Sequence, residues 1–177
     1  EHPVHILINN TGGPAPGPIT EATADQFLQA FQQHIICNQY LTQAVLPSMK
    51  AAAFGRIINV ISTTVRIPIN NLGVSNTIRG ATAPWAKTLS NEVARYGITV
   101  NNILPGFTKT SRLSSLIGQI ATNSETTADA VTKQMESDVP AKRFGEAYEI
   151  AAVAAFLASP AAAYVNGVSI PVDGGRT

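Results

Sequence analysis

A single cysteine, Cys37, stands in these 177 residues, so no internal disulfide can staple the chain. That usage fits a reducing compartment, and the expected location is the cytoplasm. Charge is scarce too: Asp, Glu, Lys and Arg make up 13% of the residues, about half the usual share of roughly 25%. With a net charge of +1 and no basic run, the chain is not expected to bind nucleic acid or an anionic membrane. No apolar stretch approaches the roughly 20 residues that a membrane span needs, and Glu1-His2-Pro3 does not read as a signal peptide. The histidines are His2, His5 and His34, with no ligand cluster around them, so no metal site is expected. Also missing is any G-x-G-x-x-G, the glycine pattern that lets a backbone approach pyrophosphate.

What remains is apolar, 45% of the chain, and it is arranged in short runs. Val4–Asn9, Arg56–Ile61, Ile98–Ile103 and Val168–Val172 are rich in β-branched residues. The first three are nearly continuous in apolar character, which predicts a parallel sheet covered on both faces. Helical stretches separate them. Thr23 and Gln26 have capping-box spacing, and the helix they open should run to about Met49. A second helix is predicted from about Val74 to Tyr96, bent at Pro84 and stopped by Gly97. A third starts near Ala147, with Ile150, Val153, Ala154 and Leu157 on one face. Strands alternating with helices predict a single three-layer α/β/α domain with right-handed crossovers. It corresponds to the second half of a doubly wound sheet, because the phosphate loop belongs to the first half.

Thr11-Gly12-Gly13-Pro14-Ala15-Pro16-Gly17 has the look of a phosphate cradle, but two prolines lack the N–H a cradle needs. It is expected to be a rigid turn lying over a cofactor. A chain starting at the Val4–Asn9 strand would leave an apolar edge unpaired, so the sequence is expected to cover part of a longer protein.

Five motifs then fall in one order. Asn9-Asn10-Thr11-Gly12 resembles the N-N-A-G of short-chain dehydrogenases/reductases. Gly55–Ser62 resembles their strand ending in a catalytic serine, and Tyr96–Gly106 their sixth strand with its Pro-Gly exit. Arg143-Phe144-Gly145-Glu146 and Val172-Asp173-Gly174-Gly175 resemble their C-terminal landmarks. The resemblance spans nearly the whole chain and is similar above all to the 3-oxoacyl-acyl-carrier-protein reductase type. It implies a Rossmann-type fold, NAD or NADP as cofactor, and a small carbonyl or alcohol substrate.

The same resemblance assigns the site. The family's Ser is followed by a Tyr about thirteen residues on and a Lys four after that, which from Ser62 lands on Ser75 and Arg79. Trp85-Ala86-Lys87-Thr88-Leu89, similar to the stretch after the family's Tyr/Lys turn, supports that register. The family's catalytic Asn falls on His34. Ser62, Ser75, Arg79 and His34 are therefore the candidate catalytic residues, with Ser62 the one family group retained. A serine hydroxyl is a far weaker acid than a phenol, and arginine cannot shuttle a proton, though its fork suits ribose hydroxyls. His34, with an ordinary pKa near 6.5, is the expected source or relay of the proton. Asn10, Arg79, Pro105, Gly106, Thr108 and Thr110 are the candidate cofactor contacts.

Two further expectations follow. The stretch of about 108–138, polar with scattered apolar residues, occupies the position of the family's substrate lid. The helices at 24–49 and 74–96, with Ala81, Ala83, Trp85 and Leu89, are expected to form the interface of a homodimer or homotetramer. The alternative to an enzyme with a non-standard site is a catalytically silent relative that binds cofactor or serves as an assembly subunit.

Overall fold

The computed structural model describes residues 3–177. Four parallel strands, β1 (Ile6–Asn9), β2 (Gly55–Val60), β3 (Ile98–Pro105) and β4 (Ser169–Val172), pair in the order β1-β2-β3-β4. Between them lie α1 (Ala24–Phe31), a π-helical turn (Gln32–Ile36), α2 (Cys37–Ala51), α3 (Gly73–Val93), α4 (Ser111–Asn123), α5 (Ala128–Ser137) and α6 (Ala147–Ala158).

Strand alternation sorts the core onto two faces. Ile57 and Val100 point one way and bury with Met49 of α2 and Ala86 and Val93 of α3. Ile58 and Ile103 point the other way and bury against Leu157 of α6. This is the expected three-layer arrangement, with two differences. Because α6 covers β2, β3 and β4, Ile6 and Ile8 on that face of β1 stay about half exposed (44% and 50%), so β1 is not covered on both faces. The second difference is in handedness. The sheet advances in one direction while α2 and α3 lie on one face and α6 on the other, so the last crossover has the hand opposite to the first two. The chain leaves β3 through α4 and α5 before reaching α6, a detour long enough to change faces; a short crossover would not be.

A polar row crosses this sheet. Asn9 Nδ2 donates to Asn59 Oδ1 at 2.8 Å, Asn59 Nδ2 to Asn102 Oδ1 at 2.9 Å, and Asn102 Nδ2 to Ser169 Oγ at 3.0 Å. These residues are direct partners in the strand register, so four strands are stitched side chain to side chain as well as through the backbone.

The helix ends follow their sequence signals. The Thr23–Gln26 capping box is formed in both directions, and Gly97 takes a left-handed φ of 71° at the end of the α3 region. A Cβ at Gly97 would meet the Ala53 carbonyl oxygen at 2.2 Å, so only glycine fits. Pro84 is accommodated inside α3. The helix expected to run unbroken from Thr23 to Met49 instead contains the π turn, where Cys37 N–H donates to the Gln32 carbonyl. One extra residue in that turn lets both His34 and Ile35 face inward.

Residues 111–138 are not irregular. α4 and α5 form a hairpin whose Leu113, Ile117, Ala121, Val131 and Met135 bury a small core with Phe144. Phe144 meets Phe107 edge to face at 6.1 Å.

Candidate active site

The loops at the carboxyl ends of β1, β2 and β3, the side on which open parallel sheets bind ligands, bear Asn10, Ser62 and Gly106–Thr110, while His34 stands in the π turn and Ser75 and Arg79 on α3. Ser62 lies two residues beyond β2 on extended backbone, half-buried, and its Oγ accepts the Thr64 N–H at 3.1 Å. The oxygen is thereby held by an N-cap bond, while among the described residues its own O–H has no acceptor. Such a hydroxyl has its O–H left to donate to an incoming acceptor.

Arg79, one helical turn after the buried Ser75, does not sit on an exposed face. It is only 9% accessible, and its guanidinium donates to the carbonyls of Ile61 (2.6 Å), Val60 (3.4 Å) and Thr11 (3.4 Å). The fork expected to suit ribose hydroxyls is turned onto the protein's own backbone, where it clasps the ends of β1 and β2. Burial, then repulsion from Arg112, pushes its pKa down to about 10, so it remains a cation at neutral pH.

His34 is 4% accessible, and its Nε2 is buried with no hydrogen-bond partner among the described residues. The π turn packs it against α3. Its pKa lies below the ordinary value, first through burial and then through the Arg79 charge; the Gly12 backbone opposes this, and Arg112 adds to it. The imidazole is therefore neutral near pH 7.

The exit from β3 is built around Gly106. A Cβ there would lie 2.7 Å from Asp173 Cβ, so the β3 and β4 exits can approach only because this residue is glycine. Gly106 N–H donates to the Val172 carbonyl at 3.0 Å, and Thr63 Oγ1 to the Pro105 carbonyl at 3.3 Å. Thr108 Oγ1 donates to the Gly106 carbonyl, and Thr110 Oγ1 caps α4 by accepting Leu113 N–H. Gly145 bonds Phe107 and Lys109 on either side of Thr108, so the loop is anchored to the start of α6. There Arg143 makes a two-bond fork to Glu149 at 2.7 and 2.8 Å. That fork, with the Glu146 N–H, holds the Glu149 carboxyl down to about 2.

The Thr11–Gly17 turn arches beside these groups. Gly17 N–H bonds the Asn71 carbonyl at 2.7 Å, and Arg112 of α4 reaches across to the carbonyls of Gly13 (3.2 Å) and Pro14 (3.0 Å). A cleft of about 640 Å³ opens along the turn, with Glu21, Gln26, Gln29 and Gln33 among its lining residues.

Residues 2–177 match the profile of the Enoyl-(Acyl carrier protein) reductase family. The NADPH-dependent reductase BacG of Bacillus subtilis is 32% identical over 170 residues, 96% of this chain and 66% of its own length. The 3-oxoacyl-[acyl-carrier-protein] reductase FabG of Haemophilus influenzae is 33% identical over 174 residues, 97% of this chain and 66% of its own. This chain belongs to the short-chain dehydrogenase/reductase family. Among solved structures, YwfH, an NADPH-dependent reductase of bacilysin biosynthesis, superposes with a TM-score of 0.93 at 31% identity, covering 99% of this chain and 67% of that one. The actinorhodin polyketide ketoreductase F189W with NADPH gives 0.92 at 28% identity, covering 98% and 67%. The chain spans about half to two thirds of the length of the curated relatives it matches.

Within this short-chain dehydrogenase/reductase fold, His34 and Arg79 meet around the Thr11–Pro14 turn. Asn10 is exposed at the end of β1, and Ser62, Pro105, Gly106 and Thr108 line the ends of β2 and β3. The Thr108 and Thr110 hydroxyls are already engaged locally, so what they still offer is mainly oxygen lone pairs. Sequence reasoning missed Arg112 and the asparagine row. A recurring Asn inside otherwise apolar strands was the available signal for the row; Arg112 had none. Among the described residues no group of three His, Cys, Asp or Glu is placed to hold a metal, and no helix is long and apolar enough to cross a membrane.

Proposed function

We propose that this chain is the substrate-facing part of an NAD(P)-dependent oxidoreductase that reduces a carbonyl or oxidises an alcohol at a non-standard site. The observation that carries the reading is Ser62, whose Oγ is fixed by the Thr64 N–H with its own O–H left to donate, at the carboxyl end of a parallel sheet. The relatives' descriptions as NADPH-dependent reductases support a nicotinamide dinucleotide as cofactor.

The residues present fit the nicotinamide end of such a molecule. Gly106 lets the β3 exit close onto Asp173 and so fixes the backbone there, and Asn10, Pro105, Thr108 and Thr110 would border the bound ring and its ribose. When bound, the nicotinamide supplies or accepts the hydride. Ser62 orients and polarises the carbonyl oxygen, and the resulting alkoxide needs a proton. Ser75 is too weak an acid to provide it, and Arg79 holds backbone carbonyls. Neutral His34 does not store a proton at pH 7, but it can accept one at one nitrogen and release one from the other. We assign it the relay on condition that a water or the substrate reaches its buried Nε2. The 108–138 hairpin acts as the lid over the substrate, and a homodimer or homotetramer is the expected assembly.

A second reading has its own support. With Arg79 drawn inward by three carbonyls and Ser75 at the tyrosine position, the chain would bind cofactor, or support an assembly, without turnover. Titration of the full-length protein with NADH and NADPH, followed by a carbonyl-substrate screen, separates the two. Oxidation of the reduced nicotinamide, lost in Ser62→Ala at unchanged cofactor affinity, is the expected result. Binding with no turnover on any substrate would leave the silent relative standing.

A further inference from the structure

Two guanidinium groups and a buried, uncharged imidazole converge on one turn. Arg112 donates to the Gly13 and Pro14 carbonyls, Arg79 donates to the Thr11 carbonyl, and His34 packs beside Gly12. Each hydrogen-bond acceptor is a neutral backbone oxygen. Among the described residues the two ion pairs, Lys109–Glu146 and Arg143–Glu149, lie near the start of α6, and neither Arg79 nor Arg112 takes part. Glu21 lines the adjoining cleft without forming an ion pair, and Gln26, Gln29 and Gln33 present uncharged amides. Like charges gathered without a counter-charge repel one another, and an anion placed among them relieves that repulsion.

Two details point to a ligand. His34 Nε2 is buried and has no partner among the described residues, although unpaired buried nitrogens are uncommon. Arg112, by contrast, is exposed, and its guanidinium lies where a side chain on residue 13 would be: a Cβ at Gly13 would sit 2.6 Å from Nη2. The turn therefore has a glycine where a planar cation rests, and that cation holds only carbonyls, which a carboxylate or phosphate can displace.

We propose that the Arg112–Gly13 junction, backed by Arg79 and His34, receives an anionic oxygen group, so that the compound handled at Ser62 is an acid: a keto or hydroxy acid, or a phosphorylated equivalent. The word substrate rests on the oxidoreductase reading; the anion site does not. Such an oxygen group has two sources, the substrate's own carboxylate or phosphate and the cofactor's diphosphate.

Calorimetric titration of the full-length protein with 2-oxobutyrate, its neutral methyl ester and inorganic phosphate, with and without saturating NADPH, separates them. The acid should bind about ten- to a hundredfold more tightly than the ester, the range of one or two charge-assisted hydrogen bonds. Arg112→Gln should erase that preference and leave NADPH affinity unchanged. Gly13→Ala, which alters no charge but displaces the guanidinium, should weaken acid binding as well. Equal binding of acid and ester by the wild type, together with no binding of phosphate, overturns the proposal. It is equally overturned if Arg112→Gln weakens NADPH and leaves the acid preference intact, because the cations would then serve the cofactor. A clear acid preference without turnover of any carbonyl compound keeps the anion site and removes the oxidoreductase reading.

Discussion

Arg79 donates to the Ile61 carbonyl at 2.6 Å, and this bond draws α3 to the exit of β2 immediately before Ser62. A charged residue at a position assigned to catalysis is thus also part of the scaffold. Arg79→Ala should lower the unfolding free energy by about 1–3 kcal/mol, because it leaves the Ile61, Val60 and Thr11 carbonyls short of a donor. Arg79→Lys should fall in between, since an ammonium cannot span three carbonyls as a fork does. Urea unfolding midpoints test this, and a more stable Arg79→Ala would mean that the burial penalty of the charge outweighs its bonds.

The asparagine row should be equally visible in stability. Asn59→Ala removes two of the row's three bonds and leaves Asn9 Nδ2 and Asn102 Oδ1 buried without a partner. The expected loss is about 2–4 kcal/mol, from two unsatisfied groups at roughly 1–3 each. Denaturant unfolding with an unchanged m-value checks it.

His34 makes stability depend on pH in a definite direction. Its folded pKa is below the unfolded value near 6.5, so between the two the unfolded chain binds more protons and stability rises with pH. The wild type should hold its full stability above about pH 6.5 and lose part of it as the pH falls from there towards the folded pKa. His34→Gln should lack this component. Parallel thermal melts from acid to neutral pH decide the matter, and identical pH slopes for the two proteins would count against a buried neutral imidazole.

Gly106→Ala tests the junction of β3 and β4. The added methyl meets Asp173 Cβ at 2.7 Å and its Cα at 2.8 Å, and backbone cannot yield as a flexible side chain would. A destabilisation of about 1–3 kcal/mol is expected, the usual range for overpacking. Weaker nicotinamide binding should accompany it, measured by titration below the melting transition.

The architecture was largely legible because strand and helix periods are local. The β-branched runs marked all four strands, Thr23 and Gln26 marked a helix start, and Gly97 marked an end. What stayed hidden depended on contacts distant in sequence. Arg79 was placed at the site by motif spacing, but its bonds to backbone carbonyls at the ends of β1 and β2 are invisible in its own helix. Arg112 meets Gly13 across about a hundred residues, and no local pattern announces that meeting. The π turn at Gln32–Ile36 adds one residue to a helix that otherwise keeps its period. Residues 111–138 read only as a polar stretch with scattered apolar residues, yet Leu113, Ile117 and Ala121 recur at helical spacing.

The side-chain row across the sheet has a consequence for how the chain finds its fold. Strands this apolar, rich in Ile and Val, could pair out of step at little loss of hydrophobic contact. A slip of β2 by one residue would turn Asn59 towards Leu157 and Ala162 and leave the amides of Asn9 and Asn102 facing Ile58 or Val60. Misaligned sheets therefore strand several amides in hydrocarbon at once, and only the correct alignment makes the row's three hydrogen bonds. The asparagines act as a key that rejects near-native pairings, a form of proofreading built into the strands themselves.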